Sequence, residues 1–171
     1  ISDFAFSLCQ GLQRLEFPDG LQEIGSAAIS SCSTLTTVVL PNSVTTILSY
    51  AFQSCSQLIN ISLSENIRTI EDYTFSYCPG LKRIELPQSL ERLESYVFCE
   101  STGLENVIFG PNVNFIGPFT FIHCESLRTI ELPSKINAIS AYLFTLCSSL
   151  ESISIPNNVT AIGDYSFHSC T

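Results

Sequence analysis

Seven cysteines set the frame of this chain: Cys9, Cys32, Cys55, Cys78, Cys124, Cys147 and Cys170. Every gap between them is 23 residues except one, which is 46. The skipped position is Ser101, and the eighth cysteine, Cys99, stands two residues before it, so the frame is kept by substitution and not by insertion. A fixed period in this range is the signature of a repeat architecture, and it constrains the fold before any single motif does.

Aligned on that period, six further columns are apolar in all seven units, beginning with Leu12, Leu15, Phe17, Leu21, Ile24 and Ile29. The unit reads L-x-x-I-x-L-P-x-x-V-x-x-I-x-x-x-x-F-x-x-C-x-x. Its I-x-L segment alternates with a period of two, as a strand does. Proline follows at Pro18, Pro41, Pro87, Pro133 and Pro156, with Ser64 and Gly110 as exceptions. Proline has no ladder N–H and fixes φ, so it ends the strand there. Identical units then stack strand on strand at about 4.7–4.9 Å in one parallel sheet. The V-x-x-I and F-x-x-C segments must return as short turn-like or helical pieces. No unit closes a core alone, so burial comes only from stacking on neighbours.

The chain opens on Ile1, and residues 1–9 are the end of a preceding repeat, with Phe6 and Cys9 in their columns. Residues 10–170 hold seven units of 23. Residues 1–171 are therefore one domain, read as an excerpt of a longer array, whose uncapped ends would favour self-association through open strand edges.

Charge narrows the partner. Sixteen acids against seven bases give a net charge of −9. Nucleic acid needs phosphates neutralised by Lys and Arg, so it is disfavoured, as are anionic membrane surfaces. No apolar stretch approaches the ~20 residues of a membrane span, so no insertion is expected within this chain. A basic partner would be steered toward it.

Units such as Leu35-Thr-Thr-Val-Val-Leu-Pro-Asn-Ser-Val-Thr-Thr-Ile47, closed by Ala51-Phe52 and Cys55, resemble the BspA-like (treponemal-type) class of leucine-rich repeats. The resemblance covers essentially the whole chain. It implies a curved right-handed solenoid of α/β type, with the parallel sheet on the concave face and the irregular or helical returns on the convex face. The family occurs on surfaces of bacteria and of mucosal protozoan parasites and is implicated in adhesion. An adhesin-like, cell-surface or secreted protein-interaction module is the function it implies. The alternative is a cytoplasmic scaffold or regulatory subunit that docks another protein, such as an enzyme.

Three sets of residues are candidates for that work. Between the inward columns, strand alternation turns two rows toward the concave face. One is Arg14, Thr37, Asn60, Arg83, Asn106, Thr129 and Ser152; the other is Glu16, Val39, Ser62, Glu85, Ile108, Glu131 and Ser154. These rows vary between repeats while the core columns hardly do, as a recognition surface would, and as plain solvent exposure also would. A second stripe, two residues before the phenylalanine column, is Tyr50, Tyr73, Tyr96, Phe119, Tyr142 and Tyr165. It is either a ridge for partners or a packing ladder over the return segment.

The cysteine column is expected to be a structural ladder of buried free thiols, without disulfides or zinc, since parallel thiols do not converge tetrahedrally. Cys99, off the column, is the candidate for an exposed reactive thiol, against the plainer expectation of an inert one. His123 beside Cys124 makes a poor nucleophile pair, because adjacent residues point apart. Neither it nor His168 belongs to any spaced metal-ligand or triad pattern, so no catalytic residue, metal or cofactor is expected. Two glycosylation sequons, Asn60-Ile-Ser62 and Asn158-Val-Thr160, matter only in a secreted eukaryotic protein.

Overall fold

The computed structural model describes residues 1–170. Each repeat makes one coil of a parallel β-solenoid, and each coil meets the next through three arrays of backbone hydrogen bonds.

The first array is the expected one. The I-x-L segments form β2 (Thr37–Val39), β4 (Asn60–Ser62), β6 (Arg83–Glu85), β8 (Asn106–Ile108), β10 (Thr129–Glu131) and β12 (Ser152–Ser154), with Arg14 bridged in parallel to Thr37. All registers are offset by one period, as in Thr37↔Asn60 and Glu85↔Ile108. The expected single sheet is not continuous, however. The hydrogen-bonded pairs are β2–β4, β6–β8 and β10–β12. Strands of three residues offer few ladder bonds each, so the sheet is held in short pieces.

The second array occupies the V-x-x-I segment. It comprises β1 (Glu23–Ile24), β3 (Thr46–Ile47), β5 (Thr69–Ile70), β7 (Arg92–Leu93), β9 (Phe115–Ile116), β11 (Ala138–Ile139) and β13 (Ala161–Ile162), again paired in parallel. The proline column turns the chain from one array to the other: Val44 N–H bonds to the Pro41 carbonyl at 3.0 Å, and Leu90 to Pro87 at 3.1 Å. Ser64 and Gly110 make the same turn without proline, Ile67 to Ser64 at 3.4 Å and Val113 to Gly110 at 3.5 Å.

The third array is the return, and of the two expected forms it is turn-like and not helical; the described residues contain no helix. Around each phenylalanine, alternate amides have different targets. Tyr50, Phe52 and Ser54 donate to the next coil, at Asp72, Thr74 and Ser76, over 2.9, 3.0 and 2.9 Å. The amides between them close local turns, Ala51 onto Leu48 and Gln53 onto Tyr50. An α-helix sends every N–H to its own carbonyl four residues back and leaves none for a neighbour. Alternation satisfies both coils at once.

The alternation depends on backbone sign. The residues two before and two after each phenylalanine-column position all have positive φ, from Ala27 at 50° to Tyr50 and Leu8 at 63°. None is glycine. Such residues each cost about 1–2 kcal/mol against the right-handed region, so the inter-coil bonds and the side-chain stacks must impose the conformation.

Inside, Phe52, Phe75, Phe98, Phe121 and Phe144 are fully buried and stack with centroids 5.4–5.8 Å apart. The position before each phenylalanine-column residue from Ile29 to Phe167 is a buried column as well: Ala28, Ala51, Thr74, Val97, Thr120, Leu143 and Ser166.

Candidate functional site

The thiol column is a hydrogen-bonding device. From Cys32 onward, each column cysteine Sγ donates to the carbonyl of the phenylalanine-column residue one coil back. Cys55 reaches Ile29 at 3.3 Å, Cys78 reaches Phe52 at 3.3 Å, Cys124 reaches Phe98 at 3.3 Å and Cys147 reaches Phe121 at 3.1 Å. Ser101 makes the equivalent bond to Phe75 at 2.8 Å, and its oxygen also accepts from the Cys78 N–H at 3.2 Å. Most of the carbonyls so reached also accept a backbone N–H within their own coil, as Phe52 does from Cys55 at 3.3 Å and Phe98 from Ser101 at 3.0 Å, so the thiols engage a second lone pair. All eight cysteines are free; Cys9 is exposed and Cys170 half-buried, while the other six are buried.

Burial also removes the inner thiols of the column from chemistry. It pushes the Cys55 and Cys147 thiols from an ordinary 9.0 up to about 12, with the neighbouring thiols adding to the effect. Cys78 and Cys124 are raised for the same first cause. A thiol held protonated is not a nucleophile at neutral pH. Cys99 is not exposed either. It lies in an inward row with Ser30, Ser76 and Thr145, and burial followed by the Glu100 charge raises it to about 11.

His123 points away from Cys124 and sits between two carboxylates, 3.9 Å from Glu100 and 3.6 Å from Glu125. His168 lies edge-on to the Tyr165 ring. Among the described residues no group of three or more His, Cys, Asp or Glu side chains could hold a metal ion. Nor is any helix long and apolar enough to cross a membrane.

Two outward faces remain. On the sheet, Arg14, Glu16, Thr37, Val39, Asn60, Ser62, Arg83, Glu85, Asn106, Thr129, Glu131, Ser152 and Ser154 are exposed, and Ile108 is half-buried. Strand pairing brings them side by side as two rows, while Val38, Ile84, Val107 and Ile130 point inward. Arg14 and Glu16 pair with each other at 2.7 Å. Two shallow depressions open here. One, of ≈ 590 Å³, lies over Arg14, Glu16, Thr37 and Val39; the other, of ≈ 490 Å³, lies over Asn106, Ile108, Thr129 and Glu131. Of the sequons, Asn60 stands exposed on this face, whereas the Asn158 amide donates to the Ile136 carbonyl at 2.6 Å.

The opposite side carries the tyrosine stripe. Its rings stack face to face from Tyr50 through Tyr73, Tyr96, Phe119 and Tyr142 to Tyr165, with centroids 4.5–5.1 Å apart and planes within 17°. Each inner ring therefore has both faces covered by neighbours, and only its edge is left outward. Tyr73 is pushed up to about 12 by burial and by the adjacent Tyr96 and Tyr50 hydroxyls. Parallel stacking ties the stripe to cohesion between coils, whereas the sheet rows are free of such ties.

Comparison with known proteins fits this geometry. A family model for the BspA type leucine rich repeat region (6 copies) matches residues 1–102 and 68–171. No curated protein matches the chain. A solved leucine rich repeat protein of T. pallidum is 30% identical, over 88% of this chain and 70% of that one, with a TM-score of 0.84. A leucine rich cell surface protein of Faecalibacterium prausnitzii is 23% identical over 99% of this chain, with a TM-score of 0.64. A leucine-rich repeat protein of Bacteroides ovatus is 24% identical over 98% of this chain, with a TM-score of 0.59. The chain spans 60% and 55% of the length of the last two, whose likeness is one of fold.

Proposed function

Because this chain belongs to the BspA-type leucine-rich repeat family, we propose that it is a protein-interaction module, adhesin-like and displayed at the cell surface, whose concave sheet face receives the partner. One observation carries this. Across seven coils the six large apolar columns keep their chemistry, while the two outward sheet rows change from charged to amide, hydroxyl and aliphatic side chains. A rigid scaffold that holds variable side chains at fixed spacing is how repeat proteins present a binding surface.

The test is steric and charge-neutral. Asn60→Tyr with Asn106→Tyr should abolish capture of partners from the native source while leaving the circular dichroism spectrum unchanged. Tyr142→Ala, on the far side, should leave capture intact. Equal capture by the sheet-face variant and the unmodified chain would sink the proposal.

A second reading places the chain inside the cell as a scaffold. The eight free thiols favour it, since oxidising compartments tend to pair cysteines. The resemblance to a protein described as a cell surface protein favours the first. Antibody labelling of intact against permeabilised source cells separates them: labelling only after permeabilisation selects the scaffold.

A further inference from the structure

The charges on the sheet face are not evenly satisfied. Five of the seven bases sit in ion pairs: Arg14–Glu16, Arg68–Glu91, Lys82–Glu105, Arg92–Glu94 and Arg128–Glu151. Three of these pairs link one coil to the next and one lies along β7 and its following residue, so these acids are already answered within the chain. Glu85 and Glu131 are not. Both are exposed on the same row of the sheet, and neither has a basic partner among the described residues.

Between them stands Ile108. It pairs with Glu85 across β6 and β8, and β10, which carries Glu131, lies on its other side. It is half-buried, and it floors the depression of ≈ 490 Å³ together with Phe109 and Pro133. The row thus reads carboxylate, apolar, carboxylate, with the amide of Asn106 and the hydroxyl of Thr129 alongside.

Spacing selects the occupant. The two carboxylates are two coils apart, about 9.4–9.8 Å at the usual strand separation. A polyproline-II segment repeats every three residues at about 3.1 Å each, so positions i and i+3 lie on one face about 9.3 Å apart. An ordinary extended strand puts i and i+3 on opposite faces and misses this match. We propose that Glu85, Ile108 and Glu131 form a docking strip for a basic, proline-containing extended segment of another protein, laid along the solenoid axis. Two cationic side chains three residues apart meet the two glutamates, and the residues between them rest on Ile108. The proposal depends on the sheet face being the binding face and goes further in naming what binds.

Arg83 gives the proposal a test of sign. It is exposed beside Glu85 on β6, makes no ion pair among the described residues, and would repel the incoming cation. The experiment is a titration of the whole chain with a synthetic peptide whose core is Lys-Pro-Pro-Lys, followed by amide NMR shifts. Shifts should centre on Ile108 and Thr129 and spare Tyr96. Glu85→Gln and Glu131→Gln should each weaken binding about threefold, and together about tenfold, the scale of exposed ion pairs. Arg83→Gln should tighten it. A Lys-Pro-Lys-Pro core, which turns its cations to different faces, should bind more weakly. Absence of shifts, equal binding of a Glu-Pro-Pro-Glu core, or unchanged affinity in both glutamine variants overturns the proposal. If the charge variants keep native-partner capture while the Asn60→Tyr, Asn106→Tyr variant loses it, the sheet face stands as the binding face and the basic strip alone falls.

Discussion

Consider one coil from its two sides. On the sheet, β4 presents Asn60 and Ser62, β6 presents Arg83 and Glu85, and β8 presents Asn106 and Ile108. Across the core, the same three coils present Tyr73, Tyr96 and Phe119 in one parallel stack. The backbone explains the contrast. A strand in the β region holds its neighbour through its own amides, so the outward side chain carries no structural duty. In the turn array the backbone sits at positive φ on non-glycine residues, an unfavourable state that stacking helps to hold. Freedom to vary belongs to the side where the backbone needs no help.

Alkali should break the turn side most completely. Cys55 and Cys147 hold their protons to about 12 in the fold, against an ordinary 9.0. The folded chain therefore binds these protons more tightly than the unfolded chain, so their contribution is complete below pH 9.0 and is lost as pH rises toward about 12. The urea midpoint should be flat between pH 7 and 8 and should collapse between pH 9 and 11. A flat profile throughout would mean the thiols are not buried as donors.

Next in size is Phe98→Ala. This ring is fully buried with a stacked neighbour on each side. Its loss should cost about 3–5 kcal/mol in a urea titration. Ser101 comes third. Ser101→Ala leaves the Phe75 carbonyl and the Cys78 N–H without their partner and should cost about 1–3 kcal/mol. Ser101→Cys restores the donor used in the other coils and should cost clearly less by the same titration.

The smallest effect tests the contrast itself. Tyr96→Ala removes two stacking contacts and should cost about 1–2 kcal/mol. Thr129→Ala, on the sheet row, should stay within about 0.5 kcal/mol. If thermal or urea unfolding gave the two equal costs, the division of labour between the faces would be wrong.

Much of this is legible in the sequence. The 23-residue columns named the stacked phenylalanines, the inward strand residues and the thiol ladder, and the tyrosine stripe was visible as a column. Other parts were hidden for definable reasons. The V-x-x-I strands are two residues long, too short to show alternation. The inward column Ala28, Ala51, Thr74, Val97, Thr120, Leu143 and Ser166 mixes apolar with hydroxyl residues, so polarity conceals it; modest side-chain size was its only signal. Burial of Cys99 follows from the adjoining inward row, whose members include serine and threonine.

By itself, the sequence determined the period, and with it which side chains meet in neighbouring coils. Stacking identical units makes residue n face residue n+23 whatever path the chain takes between. The path was decided only by the tertiary structure. Left-handed residues at Tyr50 and Ser54 are not glycines and announce nothing locally. Their conformation is favourable only once a second coil accepts the alternate amides and a second ring covers the first. For the same reason the returns are turns and not helices: the bonds that stabilise them run between coils and do not exist within one.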